Sequence, residues 1–367
     1  MHSNHYARWI RRVLIMALAL CMTGAGAHAQ EAQTISPTTG LPTDRPYRPM
    51  LVVISNSKDA REPWGLVDAD VVYEMLYWYP GHTRYFALYN DTHPQKVGSL
   101  RGARVFNAEL QLGWDAVMLH HGGQDSPGTS IYDYFKLHDV PATHRIDSVK
   151  GGGKQVFARD ETRVNPHNGY VNLEEAAETL WPTETDTEMP YESRLPSLRF
   201  SDEPARGDIE VHAMEIAYHP DEYRASYTYD PEEKLYLRAY NDVEQKDAES
   251  GERLAYANVI VQQNDLYYYE NQRSRPVLHT AGAGPMNAFI DGTMIEGYWV
   301  RPRVTDPVQY YTNDGEVVVL RPGKTFIQMV TDDMFDSRLV VIHEKPGQAV
   351  YTNTLGFTSF EGLEPEY

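Results

Sequence analysis

From Ile209 onward, tyrosine, valine and isoleucine alternate with polar residues, and turn signals break the alternation at Asp230-Pro231, Asp291-Gly292 and Asn313-Asp314-Gly315. A two-residue period puts successive side chains on opposite faces of an extended chain, so such a segment can bury one face as a strand but not a helical stripe. The turn residues favour tight antiparallel connections. This half is read as a smaller, mainly antiparallel β domain. The 26 tyrosines of the 367-residue chain fit, because tyrosine suits half-buried strands and wet surfaces. No fixed-period repeat suggests a solenoid or propeller.

The first half carries two kinds of signal. Met50 to Ile54 is a short apolar run rich in β-branched residues, and Asp70 to Trp78 and Thr83 to Tyr89, separated by Pro80 and Gly81, read as a β-hairpin. Ser99 can cap a helix running through about Leu112, and Ala116 to His120 then reads as a buried strand ending in Gly122-Gly123. Asn172, with Glu175 three residues on, opens a short helix through Leu180 that Pro182 stops. The expected fold class is an α/β amino-terminal domain, a mixed sheet with helices, ahead of the β-rich one. Prolines at 182, 190, 196 and 204 mark the loop-like stretch between them.

Residues 1–29 have the layout of a secretory leader: Arg8, Arg11 and Arg12, an apolar run from Val13 to Met22, then Ala27-His28-Ala29 before Gln30. The apolar run, about ten residues, is short of the roughly 20 needed to span a bilayer. The only cysteine, Cys21, lies inside the run and follows Leu20, a poor setting for lipidation, so the reading is cleavage near Ala29 and release into the periplasm or onto the cell surface. A chain cut there has no cysteine, hence no disulfide, thiol nucleophile or cysteine-bound metal. The expected divisions are the leader 1–29, a polar Pro/Thr-rich tether 30–45, the α/β domain 46–190, a linker 191–208, the β-rich domain 209–345 and a tail 346–367.

Acids outnumber bases by 52 to 33, a net charge of −19, and the leader contributes arginines without acids, so the remainder is more acidic still. A broad basic face for nucleic acid or anionic membrane is excluded as an expectation, though a local basic pocket is not.

An ordered set of segments carries a resemblance. It begins with Gly65-Leu66 and Ala69-Asp70-Val71-Val72-Tyr73-Glu74, then Thr83-Arg84-Tyr85-Phe86-Ala87, and Val97-Gly98-Ser99-Leu100-Arg101-Gly102-Ala103-Arg104. It continues through His120-His121-Gly122, Pro166-His167-Asn168, Phe289-Ile290-Asp291-Gly292 and Leu320-Arg321-Pro322-Gly323-Lys324-Thr325-Phe326-Ile327. In order and spacing, from about Pro46 to Asp332, the chain resembles the YerB-like family of bacterial extracytoplasmic lipoproteins. The resemblance implies an α/β domain followed by a smaller β-rich one, and brings no activity with it. The chain departs from the pattern at Cys21 and at residues 241–254, an acidic stretch expected to form a surface loop.

Arginine and histidine supply the candidate chemistry. Arg101 and Arg104, three apart, would share one face of a helix, with Arg84 on the neighbouring hairpin as a third cation. Guanidinium forks suit phosphate or carboxylate. The plainer reading pairs these arginines with Glu74, Asp91 and Glu109. His120 and His121, adjacent at a strand end, point to opposite faces, so at most one enters a given pocket. His167, in a loop beside Asn168, is the other histidine placed for proton transfer. Metal-ligand spacing, a nucleophile elbow and a phosphate loop are lacking, so no metal and no cofactor is expected. Three functions stay open: a cell-envelope protein holding an anionic glycan or phosphate-bearing ligand on Arg84, Arg101, Arg104 and His167; an envelope hydrolase or phosphoglycan transferase using the same residues; and a protein-interaction module built on Tyr267-Tyr268-Tyr269 and Tyr310-Tyr311. The leader reading predicts that the intact mass of exported protein corresponds to a chain beginning at Gln30, and a diacylglyceryl group on Cys21 would overturn it.

Overall fold

The computed structural model describes residues 34–78, 81–151, 153–182, 198–219, 223–272, 274–332, and the strands at 339–342 and 350–352. The leader, Cys21 and residues 191–197 of the expected linker lie outside them.

The first half forms β1 (Met50–Ser55), the hairpin β2 (Val71–Trp78) and β3 (His82–Tyr89), and β4 (Val97–Gly98). Helix α1 (Val105–Trp114), β5 (Val117–His120), α2 (Ile131–Leu137), β6 (Arg145–Asp147), β7 (Phe157–Arg159), β8 (Gly169–Val171) and α3 (Leu173–Leu180) follow. The expected hairpin, the Met50 strand and the Ala116 strand are present, and Asn172 caps α3 through its side chain to Glu175 N. The helix expected from Ser99 begins only at Val105. Residues 99–104 are extended instead: Leu100 bridges Ile54, Ala103 bridges Gly123, and Arg101 N donates to Val53 O at 2.9 Å. A backbone committed to these neighbours has no donors left for a helical turn.

The second half, in its described elements, is strand apart from one 3-10 turn at Tyr269–Asn271. It comprises β9 (Ile209–Glu210), β10 (Ala213–His219), β11 (Tyr223–Asp230), β12 (Leu235–Tyr240), β13 (Val243–Glu244), β14 (Ala255–Tyr256), β15 (Asn258–Gln263) and β16 (Leu266–Tyr268). After these come β17 (Pro276–Leu278), β18 (Gly282–Ile290), β19 (Thr293–Arg301), β20 (Gln309–Thr312), β21 (Thr325–Val330), β22 (Leu339–Ile342) and β23 (Val350–Thr352). The Asp291-Gly292 signal joins β18 to β19 with both residues at positive φ, 48° and 72°, as the two-residue hairpin turn requires.

The strands of the two halves are not kept in separate sheets. An 11-stranded mixed sheet runs β20-β19-β18-β15-β21-β2-β3-β1-β5-β6, with β9 also on β19, so β21 lies between β15 and the amino-terminal β2 and is parallel to both. A seven-stranded antiparallel sheet, β13-β12-β11-β10-β22-β23 with β14 on β12, packs on one face of it. Helices α1 and α2 cover the other. Alternation along β2 sends Val72, Glu74 and Leu76 toward the second sheet and Tyr73, Met75 and Tyr77 toward the helices.

Between the sheets, Glu74 and Arg238 are both fully buried and paired at 2.7 Å. Glu74 also accepts from Asn56 Nδ2 (2.9 Å), Thr83 Oγ1 (2.6 Å), Gln328 Nε2 (3.1 Å) and Tyr240 OH (3.4 Å). The Arg238 guanidinium lies 4.5 Å from the Phe326 ring centroid and 5.2 Å from that of Tyr227. Burial opposes its charge, but Tyr227, Tyr85 and Glu74 outweigh burial and hold its pKa above the ordinary arginine value. Tyrosines expected at half-buried positions stand in this core: Tyr85, Tyr218, Tyr227, Tyr236 and Tyr256 are essentially inaccessible. Tyr218 OH spans the sheets to Glu74 O (2.9 Å) and Met329 O (3.1 Å).

The described part of the expected tether is packed, and the expected surface loop 241–254 is mostly exposed but anchored at three positions. Ser36, Thr38 and Thr39 are buried and donate to Asp91, Asp70 and Asp91. Within 241–254, Gln245, Asp247 and Leu254 are buried, with Gln245 Nε2 donating to Tyr85 OH at 2.9 Å. The second of these meets the tyrosine core through Gln245. Removing one member of a buried ion pair leaves an uncompensated charge, so Glu74→Gln or Arg238→Met alone should cost about 3–5 kcal/mol in a denaturant melt. The combined Glu74→Leu/Arg238→Met change should recover much of that loss, and single losses below about 1 kcal/mol would remove the pair from its structural role.

Candidate functional site

β1, β2, β5, β6, β15 and β21 all run in one direction, so their carboxyl ends lie along one edge of the large sheet, where open α/β sheets commonly place ligands. Arg84 sits at that edge, opposite Ser55 of β1 and Met75 of β2. The 99–104 segment crosses the end of β1, and His121 N donates to Arg101 O at 3.0 Å, which ties it to the end of β5. Arg101 and Arg104 thus reach the edge from an extended segment, not from one helix face. Arg104 is the residue preceding α1, its N–H taken by Asn107 Oδ1 at 2.8 Å.

Tyr77 organises two of the three guanidiniums. Its ring centroid lies 4.2 Å from Arg84 Cζ and 5.7 Å from Arg104 Cζ, and its hydroxyl donates to Asn107 Oδ1. Burial pushes the Tyr77 pKa up to about 12, against Arg84 and Arg104. Burial likewise depresses Arg84 to about 10, and Arg104 and Arg101 push in the same direction while Tyr77 opposes them. Arg84 thus feels the charges of both Arg104 and Arg101. Their hydrogen bonds go to neutral acceptors: Arg84 to Gly102 O, Arg101 to Pro166 O at 2.5 Å, and Arg104 to Gln124 Oε1.

The carboxylates that the plainer reading assigned to them are engaged elsewhere. Glu74 holds Arg238, Asp91 accepts from Ser36, Thr39 and Asn90, and Glu109 accepts from Thr280. Among the described residues, none of Arg84, Arg101 and Arg104 forms an ion pair. On a chain of net charge −19 with acids in excess, that absence sets the cluster apart.

The structure brings His167 to Arg101 and separates the other two histidines. Arg101 Nη2 donates to His167 Nδ1 at 2.7 Å, Ser57 Oγ lies 3.2 Å from the same nitrogen, and Nε2 faces Asp59 Oδ2 at 3.8 Å. Acceptance at Nδ1 places the ring proton on Nε2. Burial, then Arg101, lowers the His167 pKa, with Asp59 opposing. His121 turns outward to Ser148 Oγ at 2.5 Å. His120 is wholly buried, its Nδ1 donating to Gly122 O at 2.7 Å, and supports the turn beneath the site. Asn168 does not face the arginine cluster directly; its Oδ1 accepts from Arg159 Nη1 at 2.7 Å. Sequence reading missed Tyr77, Gln124, Arg159 and Arg163. Arg163 stacks 3.7 Å from the Trp64 centroid and donates to Glu62 O and Ala60 O at 2.5 and 3.0 Å, bracing the loop that carries His167. Two bases within eight residues of His167 were the available signal for Arg159 and Arg163.

Residues 38–185 match the family model described as "Protein of unknown function (DUF3048) N-terminal domain", and residues 214–327 match its C-terminal counterpart. The chain belongs to the YerB-like DUF3048 family. It is 29% identical over 309 residues, 81% of this chain and 86% of the relative, to the Bacillus subtilis (strain 168) protein named "Putative lipoprotein YerB". The crystal structure of YerB from Bacillus subtilis superposes with a TM-score of 0.66 at 27% identity, covering 82% of this chain and 97% of that one. The order of the two family halves agrees with the mixed and antiparallel sheets described above. Strand content is higher, and helix content lower, than an α/β first half suggested.

The Arg101–His167 contact has a titration signature. A neighbouring cation disfavours the imidazolium, so Arg101→Ala should raise the His167 pKa toward 6.5, as followed by NMR of the ring protons across pH 4–8. An unchanged titration would show that the two side chains are not in contact in solution.

Proposed function

We propose that this protein is exported to the cell envelope and binds an anionic envelope ligand, a phosphate- or carboxylate-bearing glycan, through Arg84, Arg101, Arg104 and His167. One observation carries the reading: three guanidiniums converge on one sheet edge, bonded to carbonyl and amide oxygens, with no carboxylate partner among the described residues. An anion entering there would replace mutual repulsion with charge-assisted hydrogen bonds, which planar guanidinium forks form well. The leader of residues 1–29 and the lipoprotein name of the Bacillus relative support the envelope location. Among the described residues no helix is long and apolar enough to cross a membrane.

A second reading, an envelope hydrolase or phosphoglycan transferase at the same place, draws on His167. Its lowered pKa keeps the imidazole neutral near pH 7, the form that accepts a proton. Release of product from a labelled envelope polymer would favour it over binding alone.

Calorimetric titration with inorganic phosphate and with a carboxylated glycan tests the binding site. Arg101→Ala or Arg104→Ala should weaken binding by about 1.5–3 kcal/mol for each charge-assisted bond lost, with lysine at either position rescuing only part. The melting temperature should move little, because these arginines have no buried carboxylate to strand. Large melting losses with unchanged or absent anion binding would sink the proposal.

A further inference from the structure

Beside the arginine cluster, a cavity of about 160 Å³ opens between α1, the 124–129 loop, α2 and the β16–β17 hairpin. Arg104 belongs to both, since it lines the cavity while its guanidinium lies by Tyr77. A cavity of about 150 Å³ holds a benzene-sized ring, so the volume suits one six-membered ring. An apolar occupant does not fit the lining. Thr129 Oγ1, Tyr134 Oη and Arg104 Nε, on residues that line the cavity, are buried and have no hydrogen-bond partner among the described residues, and Thr129 itself is only 6% exposed. Buried donors and acceptors are nearly always satisfied, so three left open around one space point to a ligand or ordered water that satisfies them.

The charges choose the ligand's sign. Arg104 and Arg275 both line the cavity, and Arg275 is already paired with Glu270 at 2.9 Å. The acid on the wall, Glu109, accepts the Thr280 hydroxyl, and burial raises its pKa, which disfavours its charged form. At the mouth Tyr267 is 47% exposed, its ring edge-on to His279 at 5.2 Å, which offers an apolar face with a polar tip. Neutral hydroxyl groups in the wall, a cation at the boundary with the anion site and an aromatic lip match a hydroxylated ring that bears one acidic group.

We propose that this cavity holds the pyranose ring of an acidic sugar residue, its ring hydroxyls on Thr129 and Tyr134 and its acidic group on Arg104. This rests on the anion-site reading and specifies what the anion is attached to: a sugar ring directly beside the charge.

The test uses the mature full-length protein with glucuronate, galacturonate and glucose 6-phosphate as probes, against glucose and inorganic phosphate, by calorimetry. At least one sugar acid should bind more tightly than either glucose or phosphate. Thr129→Val and Tyr134→Phe should each weaken that binding by about 2- to 12-fold, the range for one neutral hydrogen bond, while leaving phosphate affinity unchanged. Neither variant should lower the melting temperature, because the deleted hydroxyls make no bond to the described residues, and their melts verify folding. If no sugar acid binds more tightly than phosphate, or if the two variants leave sugar-acid affinity unchanged, the cavity holds only water and this inference falls. Arg101-dependent phosphate binding that persists in that case leaves the anion site standing, whereas loss of phosphate binding as well would remove both.

Discussion

The buried pair of Glu74 and Arg238 is the constraint on which the rest of the architecture hangs. A carboxylate and a guanidinium with no solvent access need close pairing and further hydrogen bonds to offset their lost hydration, and here the partners come from β3, β11, β12, β21 and the segment after β1. That requirement fixes the seven-stranded sheet against the large one at a single position. It also sets the alternation of β2: with Glu74 turned to one side, Tyr77 must turn to the other, where it receives Arg84 and Arg104. The core and the candidate site are thus two faces of one strand.

The arginine cluster is organised by opposite means. In the core, charge is neutralised at short range; at the sheet edge, like charges are held together by backbone carbonyls, an amide and an aromatic ring, none of which cancels a full charge. Preorganised guanidiniums without counter-charges lose little on meeting an anion, because no ion pair has to break first. His167 shares this environment, and its neutrality follows from burial and from Arg101.

Much of this was legible in the sequence where a local rule decides the outcome. The two-residue period from Ile209, the Asp291-Gly292 turn, the Asn172 cap and the hairpin around Gly81 each depend on neighbours in the chain. The path of residues 99–104 did not, because its backbone hydrogen bonds go to Val53, Ser55, His121, Gly122, Gln124 and Gly169, and helical spacing of apolar residues says nothing about such partners. Of the candidate site, the residue types were readable and the grouping of Arg84, Arg101, Arg104 and His167 was anticipated, but the exclusion of Glu74 from it depends on Arg238, 164 residues away. Ser36 and Thr38 read as tether because small polar residues carry no pattern, yet Asp91 and the buried Asp70 make their hydroxyls structural.

The placement of β21 between β2 and β15 has a consequence for how the chain comes into being. A polypeptide delivered amino-terminus first presents the β2 hairpin early, but the strand that closes its open edge spans Thr325–Val330, so more than 230 residues must emerge before the sheet is complete. Until then β2 offers a row of unpaired amides and carbonyls to any extended segment nearby, including another copy of itself. Synthesis of this fold therefore calls for a holding period, in which the early half is kept from pairing by whatever accompanies it across its journey. A chain that stops short of its last large-sheet strand is not a smaller protein but an adhesive one.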